Sequence, residues 1–266
     1  MHQKDYAVKV LHITDCHLNA DRSRDLLGIN TFDSLNAVLN DIKADGQQPD
    51  CILVTGDISQ DGSVEAYQTM KEMLSDFTCP IRWFAGNHDA RSNMSSVIGE
   101  GEELQKTLVV GDWEIILLDS LSPGNVHGEL SDSELNLLET SLASSSANNT
   151  MVCLHHHPIP IGAKWLDNIG LHRPEAFLDA VSKDQSVKAV LWGHIHQEFD
   201  QSIDGKRWLA SPSTCIQFKP QSEDFALDKL APGYRWLTLH SDGSFETEVK
   251  RANEFEFELD LQSNGY

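Results

Sequence analysis

Five apolar runs in this chain end in side chains able to bind metal. Asp15 and His17 close "HITDCH", Asp57 closes "LVTGD", and Asn87, His88 and Asp89 close "FAGNHD". His155, His156 and His157 close "CLHHHP", and His194 and His196 close "LWGHIH". Carboxylate, amide and imidazole without thiolate suit borderline divalent ions such as iron, manganese, zinc, cobalt or nickel. A single catalytic ion needs about three protein ligands and an open position, whereas this set can serve two ions that share Asp57. Paired ions roughly 3.5–4 Å apart clamp phosphoryl oxygens and acidify a water, which is the chemistry of phosphoester hydrolysis.

Each piece alone has a plainer reading. Asp15 and His17 could be a turn cap and a surface histidine, Gly56-Asp57 a helix cap, and Gly-Asn-His-Asp a turn. "GHIH" is more telling, because alternate residues of an extended segment point the same way and would let His194 and His196 address neighbouring points. Convergence decides the matter, since ligands of α/β sheets bind beyond the carboxyl ends of strands.

The elements that must position these residues alternate in the α/β manner. Strands are predicted at 8–14, 51–55, 81–85, 114–120, 151–155 and 188–192. Apolar residues at helical spacing predict helices over 31–43 and 63–77. A third helix begins at Ser131, where Glu134 completes a capping box, and a fourth at Pro174. From about residue 206 the chain turns to strands, with Asp242-Gly243 as a hairpin signal. On an extended "LHHHP", His155 and His157 point to one side and His156 to the other, so a metal takes either the middle residue or the outer pair.

Length and composition bound the rest. The 266 residues suffice for one large domain or two small ones. No apolar run approaches the roughly 18 residues of a membrane span, and the N-terminal stretch lacks signal-peptide character, so a cytoplasmic protein is expected. The formal charge of −21 argues against nucleic acid or an anionic membrane as partner. Five cysteines without C-x-x-C spacing read as buried free thiols. His2, His12, His172 and His240 have no partner motif and read as structural or solvated, while His127 either approaches the site or caps the helix after it. Trp165 either stacks on a base or packs against its own domain.

Asp15-x-His17, Gly56-Asp57, Gly86-Asn87-His88-Asp89, His156-His157-Pro158 and Gly193-His194-x-His196 resemble, in order, the five motifs of the calcineurin-like metallophosphoesterases. "LLGINTFDS", "HGELS", "GHIHQE", "SPSTCIQFKP" and "APGYRWL" extend the resemblance to the bacterial class III cyclic nucleotide phosphodiesterases over nearly the whole chain. The resemblance implies an α/β fold, a four-layer α/β/β/α sandwich with two mixed β-sheets flanked by helices. It implies a single catalytic domain over residues 1–252, followed by an acidic tail or edge strand over 253–266.

It also implies two divalent metal ions, iron or manganese first, with zinc, cobalt or nickel as alternatives. Asp15, His17, Asp57 and His196 would hold the first ion, and Asp57, Asn87, His156 and His194 the second. His88 would face the scissile phosphate with Asp89 in support, and substrate would touch His17, Asp57, Asn87, His88, His156 and His196. The implied activity is hydrolysis of 3',5'-cyclic AMP to 5'-AMP by a metal-bridging hydroxide. The alternative is a broader phosphoesterase on the same centre, acting on 2',3'-cyclic nucleotides, other diesters or monoesters. The implied partner is a small cyclic nucleotide, and a homodimer is left open. His157, fixed before a proline, would support the site or face substrate, and His155 would end its strand as a packed or hydrogen-bonded ring.

Overall fold

Successive side chains of a strand point to opposite faces, and here both faces are buried. In β1 (Val8–Ile13), Val8 and Val10 enter one core while Leu11 and Ile13 enter another. In β2 (Cys51–Val54), Cys51 and Leu53 face the first core, and Ile52 and Val54 the second. This is why these strands read as continuous apolar runs rather than as alternation. The computed structural model describes residues 7–263 and 265, so His2 lies outside the described residues.

The first sheet also contains β3 (Ile81–Trp83), and the second begins with β4 (Thr107–Val110), β5 (Trp113–Leu117) and β6 (Asn149–Leu154). β7 (Val187–Trp192), β8 (Phe199–Ile203) and β9 (Lys206–Ala210) complete the second sheet, and β10 (Gly233–Leu239) and β11 (Phe245–Arg251) return to the first. The first sheet has the order β11-β10-β1-β2-β3, with β1, β2 and β3 parallel and the hairpin β10-β11 antiparallel. The second has the order β8-β9-β7-β6-β5-β4, parallel at its centre and antiparallel at both edges. Between the sheets lies a core containing Val10, Leu53, Ile115, Met151, Leu191 and Leu237.

Helices cover the outer faces. α1 (Thr31–Asp45), α2 (Val64–Met73) and α3 (Arg91–Ile98) bring Leu35, Leu39, Tyr67, Met70 and Met94 to the first sheet. α4 (Asp132–Ser144) and α6 (Glu175–Lys183) bring Leu138, Phe177 and Val181 to the second, and the one-turn α5 (Lys164–Asp167) lies on the same side. The four-layer α/β/β/α sandwich is the architecture expected from the resemblance. Among the described residues no helix is long and apolar enough to cross a membrane, and all five cysteines are free.

Several local expectations differ from the structure. The strand predicted over 151–155 ends at Leu154, so the histidine triplet has already left the sheet. Ser131 caps α4 by accepting from Glu134 N at 3.3 Å, but the Glu134 carboxylate turns to Lys106 and to Asp119 N instead of completing a box. Helix α3 and strands β4 and β8 had no clear periodic signal. Residues 255–260 carry no strand pairing; Phe255, Phe257 and Leu259 lie against the helix-covered core of the second sheet, and Asp260 N bonds Leu27 O at 2.9 Å. The edge-strand alternative for this tail is therefore not the one adopted.

Candidate metal centre

The carboxyl ends of β1 and β2 are joined side by side before any side chain is considered. Asp15 N bonds Gly56 O at 3.1 Å, His17 N bonds Asp57 O at 2.9 Å, and Leu18 N bonds Ile58 O at 2.9 Å. These contacts hold a backbone that L-residues seldom adopt: φ is 55° at Asp15, 46° at His17, 46° at Asp57, 65° at His194 and 47° at His196. Each such residue costs on the order of 1–3 kcal/mol and persists only where its surroundings determine it. "GHIH" is thus a tight turn, with Ile195 N bonded to Gly193 O at 2.7 Å, and not the extended segment expected from its alternation. The motif glycines serve close approach. A Cβ on Gly86 would lie 2.2 Å from Asp57 Oδ1, and one on Gly193 2.1 Å from Thr14 Oγ1.

Four imidazoles each have one ring nitrogen tied to a neighbour, and three of them, His17, His155 and His196, turn the other inward. His17 uses Nδ1 for Gln60 Oε1 at 2.6 Å, His155 for Thr55 O at 2.8 Å and His196 for Ile216 O at 2.9 Å. His194 does the reverse, with Nε2 3.1 Å from Ile169 O. Such bonds fix the tautomer and ring direction of a metal-binding histidine. The inward atoms crowd together: His17 Nε2 is 3.2 Å from His196 Nε2, His196 Nε2 is 3.4 Å from Asp15 Oδ1, and His155 Nε2 is 3.2 Å from Asp57 Oδ2. Bonds of about 2.0–2.2 Å to one ion place neighbouring ligand atoms at roughly this spacing. Among the described residues Asn87 Oδ1 is moreover buried without a hydrogen-bond partner, as a ligand atom awaiting an ion should be.

The triplet resolves differently from the sequence expectation. His156, the residue assigned to the second ion, does lie with His155 and His194 in a group whose donor atoms come within 4.8 Å of one another, but its ring nitrogens also meet other partners: Nδ1 is 2.8 Å from Ser120 Oγ and Nε2 is 3.1 Å from Val126 O. His155, expected only to end the strand, instead faces the carboxylates, 3.2 Å from Asp57 and 3.9 Å from Asp15. Its ring is hydrogen-bonded, as expected, but on the other nitrogen. The alternation argument fails because the chain bends after Leu154, allowing the rings of His155 and His156 to stand perpendicular, 4.9 Å apart. His157 is buried behind His194, their rings near-parallel at 5.8 Å, with Nε2 3.6 Å from Asp167 Oδ1.

Charge within the cluster is balanced by a proton. Burial pushes the Asp57 carboxyl up, but the imidazoles of His155 and His88 outweigh it and hold the group well below the usual carboxylate range. Burial opposes a charge on His155, yet Asp57 and Asp15 overcome it and raise its pKa to about 9. Burial lowers His17 to about 3 despite the nearby Asp57, and burial with neighbouring imidazoles holds His194 far below its ordinary value. His17 and His194 beside ionised carboxylates thus have the protonation states metal binding requires, whereas His155 would have to give up its proton to an incoming ion, so that binding releases a proton there.

Asn87, His88 and His194 line a cavity of about 410 Å³ together with the aromatic side chains of Trp165, Phe218 and Phe225. The Asp57 Oδ1 atom accepts from His88 N at 2.9 Å, and the His88 and His17 rings meet edge to face at 4.9 Å. Asp89 is engaged elsewhere, accepting from Gly86 N at 2.8 Å, Ser59 N at 2.9 Å, Ile58 N at 3.2 Å and the Tyr67 hydroxyl at 3.0 Å. Burial and then Asp57 raise its pKa to about 7. His127 stacks on His172 at 3.6 Å and does not cap α4, a task left to Ser131. His12 is a structural histidine as expected, with its nitrogens 2.5 Å from Ser211 Oγ and 2.7 Å from Thr55 Oγ1.

Residues 8–198 match the profile of the calcineurin-like phosphoesterases. The chain belongs to that family. It is 44% identical to a Pseudomonas aeruginosa protein named 3',5'-cyclic adenosine monophosphate phosphodiesterase CpdA, over 98% of this chain and 96% of that one. The protein of the same name from Escherichia coli K12 is also 44% identical, over 97% and 95% respectively. Among solved structures, a dimetal phosphatase from Danio rerio superposes with a TM-score of 0.65 at 16% identity, covering 93% of this chain and 100% of that one. As a calcineurin-like phosphoesterase, the chain is expected to carry divalent metal, and its grouped histidines and aspartates fit that expectation.

Proposed function

We propose that this phosphoesterase hydrolyses 3',5'-cyclic AMP to 5'-AMP. The observation that carries the reading is the 44% identity, over nearly both full lengths, to proteins named for that reaction. The donor cluster and adjoining cavity supply a mechanism consistent with it. Asp15, His17, Asp57 and His196 would hold one ion, and Asp57, Asn87, His155 and His194 the other; these oxygen and nitrogen donors suit borderline divalent ions, of which the resemblance puts iron or manganese first. Such a pair would neutralise the diester's charge and make water nucleophilic at neutral pH.

The remaining steps belong to the chain's own residues. The buried carbonyl and amide partners of the four imidazoles hold each ring in one orientation, so little reorganisation is needed when substrate binds. His88, on the wall of the cavity, donates a proton or hydrogen bond to the departing ribose 3'-oxygen. Asp89 braces the two loops that carry Asp57 and Asn87, a positioning role rather than a proton-transfer one. His156 fixes the Ser120 and Val126 segments against the site, and His157 backs the ring of His194.

The test is kcat/KM for 3',5'-cyclic AMP, 2',3'-cyclic AMP and an aryl phosphodiester after reconstitution with iron or manganese. A clear preference for the 3',5' substrate is expected. Preference for either of the others would replace this reading with the broader phosphoesterase.

A further inference from the structure

The aromatic end of the cavity has no part in the chemistry at phosphorus. We infer that Trp165 is the platform on which the base of the substrate stacks, which makes it the residue that favours nucleotides over base-less diesters in the proposed reaction. The inference rests on the cyclic-nucleotide reading above and assigns the part of the substrate that the metal donors cannot recognise.

Three observations carry it. Of the six tryptophans in the chain, Trp83, Trp113, Trp192, Trp208 and Trp236 are buried, whereas Trp165 is only half-buried and lines the cavity that holds Asn87 and His88. The indole is held by ring packing, edge to face against Phe218 at 5.0 Å and 76° and against Phe225 at 5.2 Å and 66°. Its N–H has no hydrogen-bond partner among the described residues, so no polar anchor dictates its place. Finally, Phe218 lies flat on the ring of His196, 4.2 Å away at 15°. The aromatic wall is thereby tied to the donor cluster, and the separation between base and phosphate subsites is set by packed side chains.

Chemistry favours a base as the occupant. The cavity's volume of about 410 Å³ lies within the range of roughly 300–1,000 Å³ usual for small-molecule sites. Among the described residues no Asp, Glu, Lys or Arg lines it; away from the reactive end the described lining side chains are apolar except for Asn125. A flat, weakly polar group joined to a charged phosphate suits such a two-ended site, and stacking on an aromatic ring is a strong contact available to every base.

The experiment compares full-length wild type, Trp165→Ala and Trp165→Phe, each reconstituted with manganese and checked for metal content. Substrates are 3',5'-cyclic AMP and the base-less ribose 3',5'-cyclic phosphate. Trp165→Ala should raise KM for cyclic AMP at least about tenfold with kcat changed by less than about threefold, and should leave kcat/KM for the base-less substrate unaltered. Trp165→Phe should recover most of the loss. Independently of turnover, 5'-AMP added to metal-free protein should quench tryptophan fluorescence in wild type but not in Trp165→Phe.

Equal losses on both substrates would overturn the inference by showing that Trp165 only supports the fold near His196. An unchanged KM in Trp165→Ala, with cyclic AMP still hydrolysed by wild type, would overturn it alone. If wild type cleaves other diesters but not cyclic AMP, the parent reading falls and this one with it.

Discussion

The two ends of the cavity are built by opposite means. At the reactive end the donors sit just beyond strands β1, β2, β3, β6 and β7, each of the four donor imidazoles has one nitrogen tied down, and five residues are locked at positive φ. At the aromatic end, Trp165, Phe218 and Phe225 come from a one-turn helix and the segments after β9, and meet through ring contacts. The first end tolerates little displacement, because a phosphoryl group must be met at fixed points. The second needs only a flat face at a set distance. A family can therefore keep its chemistry and change its substrate by altering loops alone.

Exchange of adjacent histidines tests the reactive end most severely. His155→Ala should lose one ion by elemental analysis and cut kcat/KM by at least ~10³-fold, a barrier of about 4 kcal/mol. His156→Ala should keep both ions, with metal affinity lowered by ~10–100-fold, the usual cost of losing a group that supports the ligands. The opposite pattern would restore the sequence assignment of His156. Next in size, His88→Ala should retain both ions and lose ~10²-fold in kcat. Unchanged turnover in the fully metallated variant would remove His88 from the reaction.

The same contrast explains what the sequence disclosed. Asp15, His17, Asp57, Asn87, His194 and His196 were legible because each is a polar residue at the end of an apolar strand, and the structure gathers them at one edge. The member of the triplet that faces the carboxylates was not legible. Choosing it required knowing that β6 stops at Leu154 and that the chain then bends, whereas the alternation argument assumed a strand. The left-handed residues carry no signal of their own beyond neighbours such as Gly56, Gly86 and Gly193. The aromatic wall is least visible, since residues 165, 218 and 225 share no motif and meet only through the tertiary fold. The layers were easier, because doubly buried strands and amphipathic helices announce themselves by composition and period.

The smallest effect concerns the brace between the loops. Tyr67 is fully buried; its hydroxyl donates to Asp89 Oδ1 at 3.0 Å and accepts from Ala90 N at 2.8 Å. Tyr67→Phe keeps the ring but leaves the Ala90 N–H without its partner and Asp89 with one donor fewer, a cost of about 1–3 kcal/mol. The pH dependence has a definite sign. Burial, and after it Asp57, raise the Asp89 carboxyl to about 7, above the ordinary value of about 3.9. Folded protein thus holds this proton more tightly than unfolded chain, and Asp89's contribution to stability declines as pH rises through that interval. Removing a donor to the carboxylate raises the folded value further, so the deficit of Tyr67→Phe relative to wild type should be larger at pH 8 than at pH 5. Urea unfolding of both metal-free proteins at the two pH values measures it. A deficit independent of pH would mean that the hydroxyl serves Ala90 N alone, and that Asp89 braces the loops without help from α2.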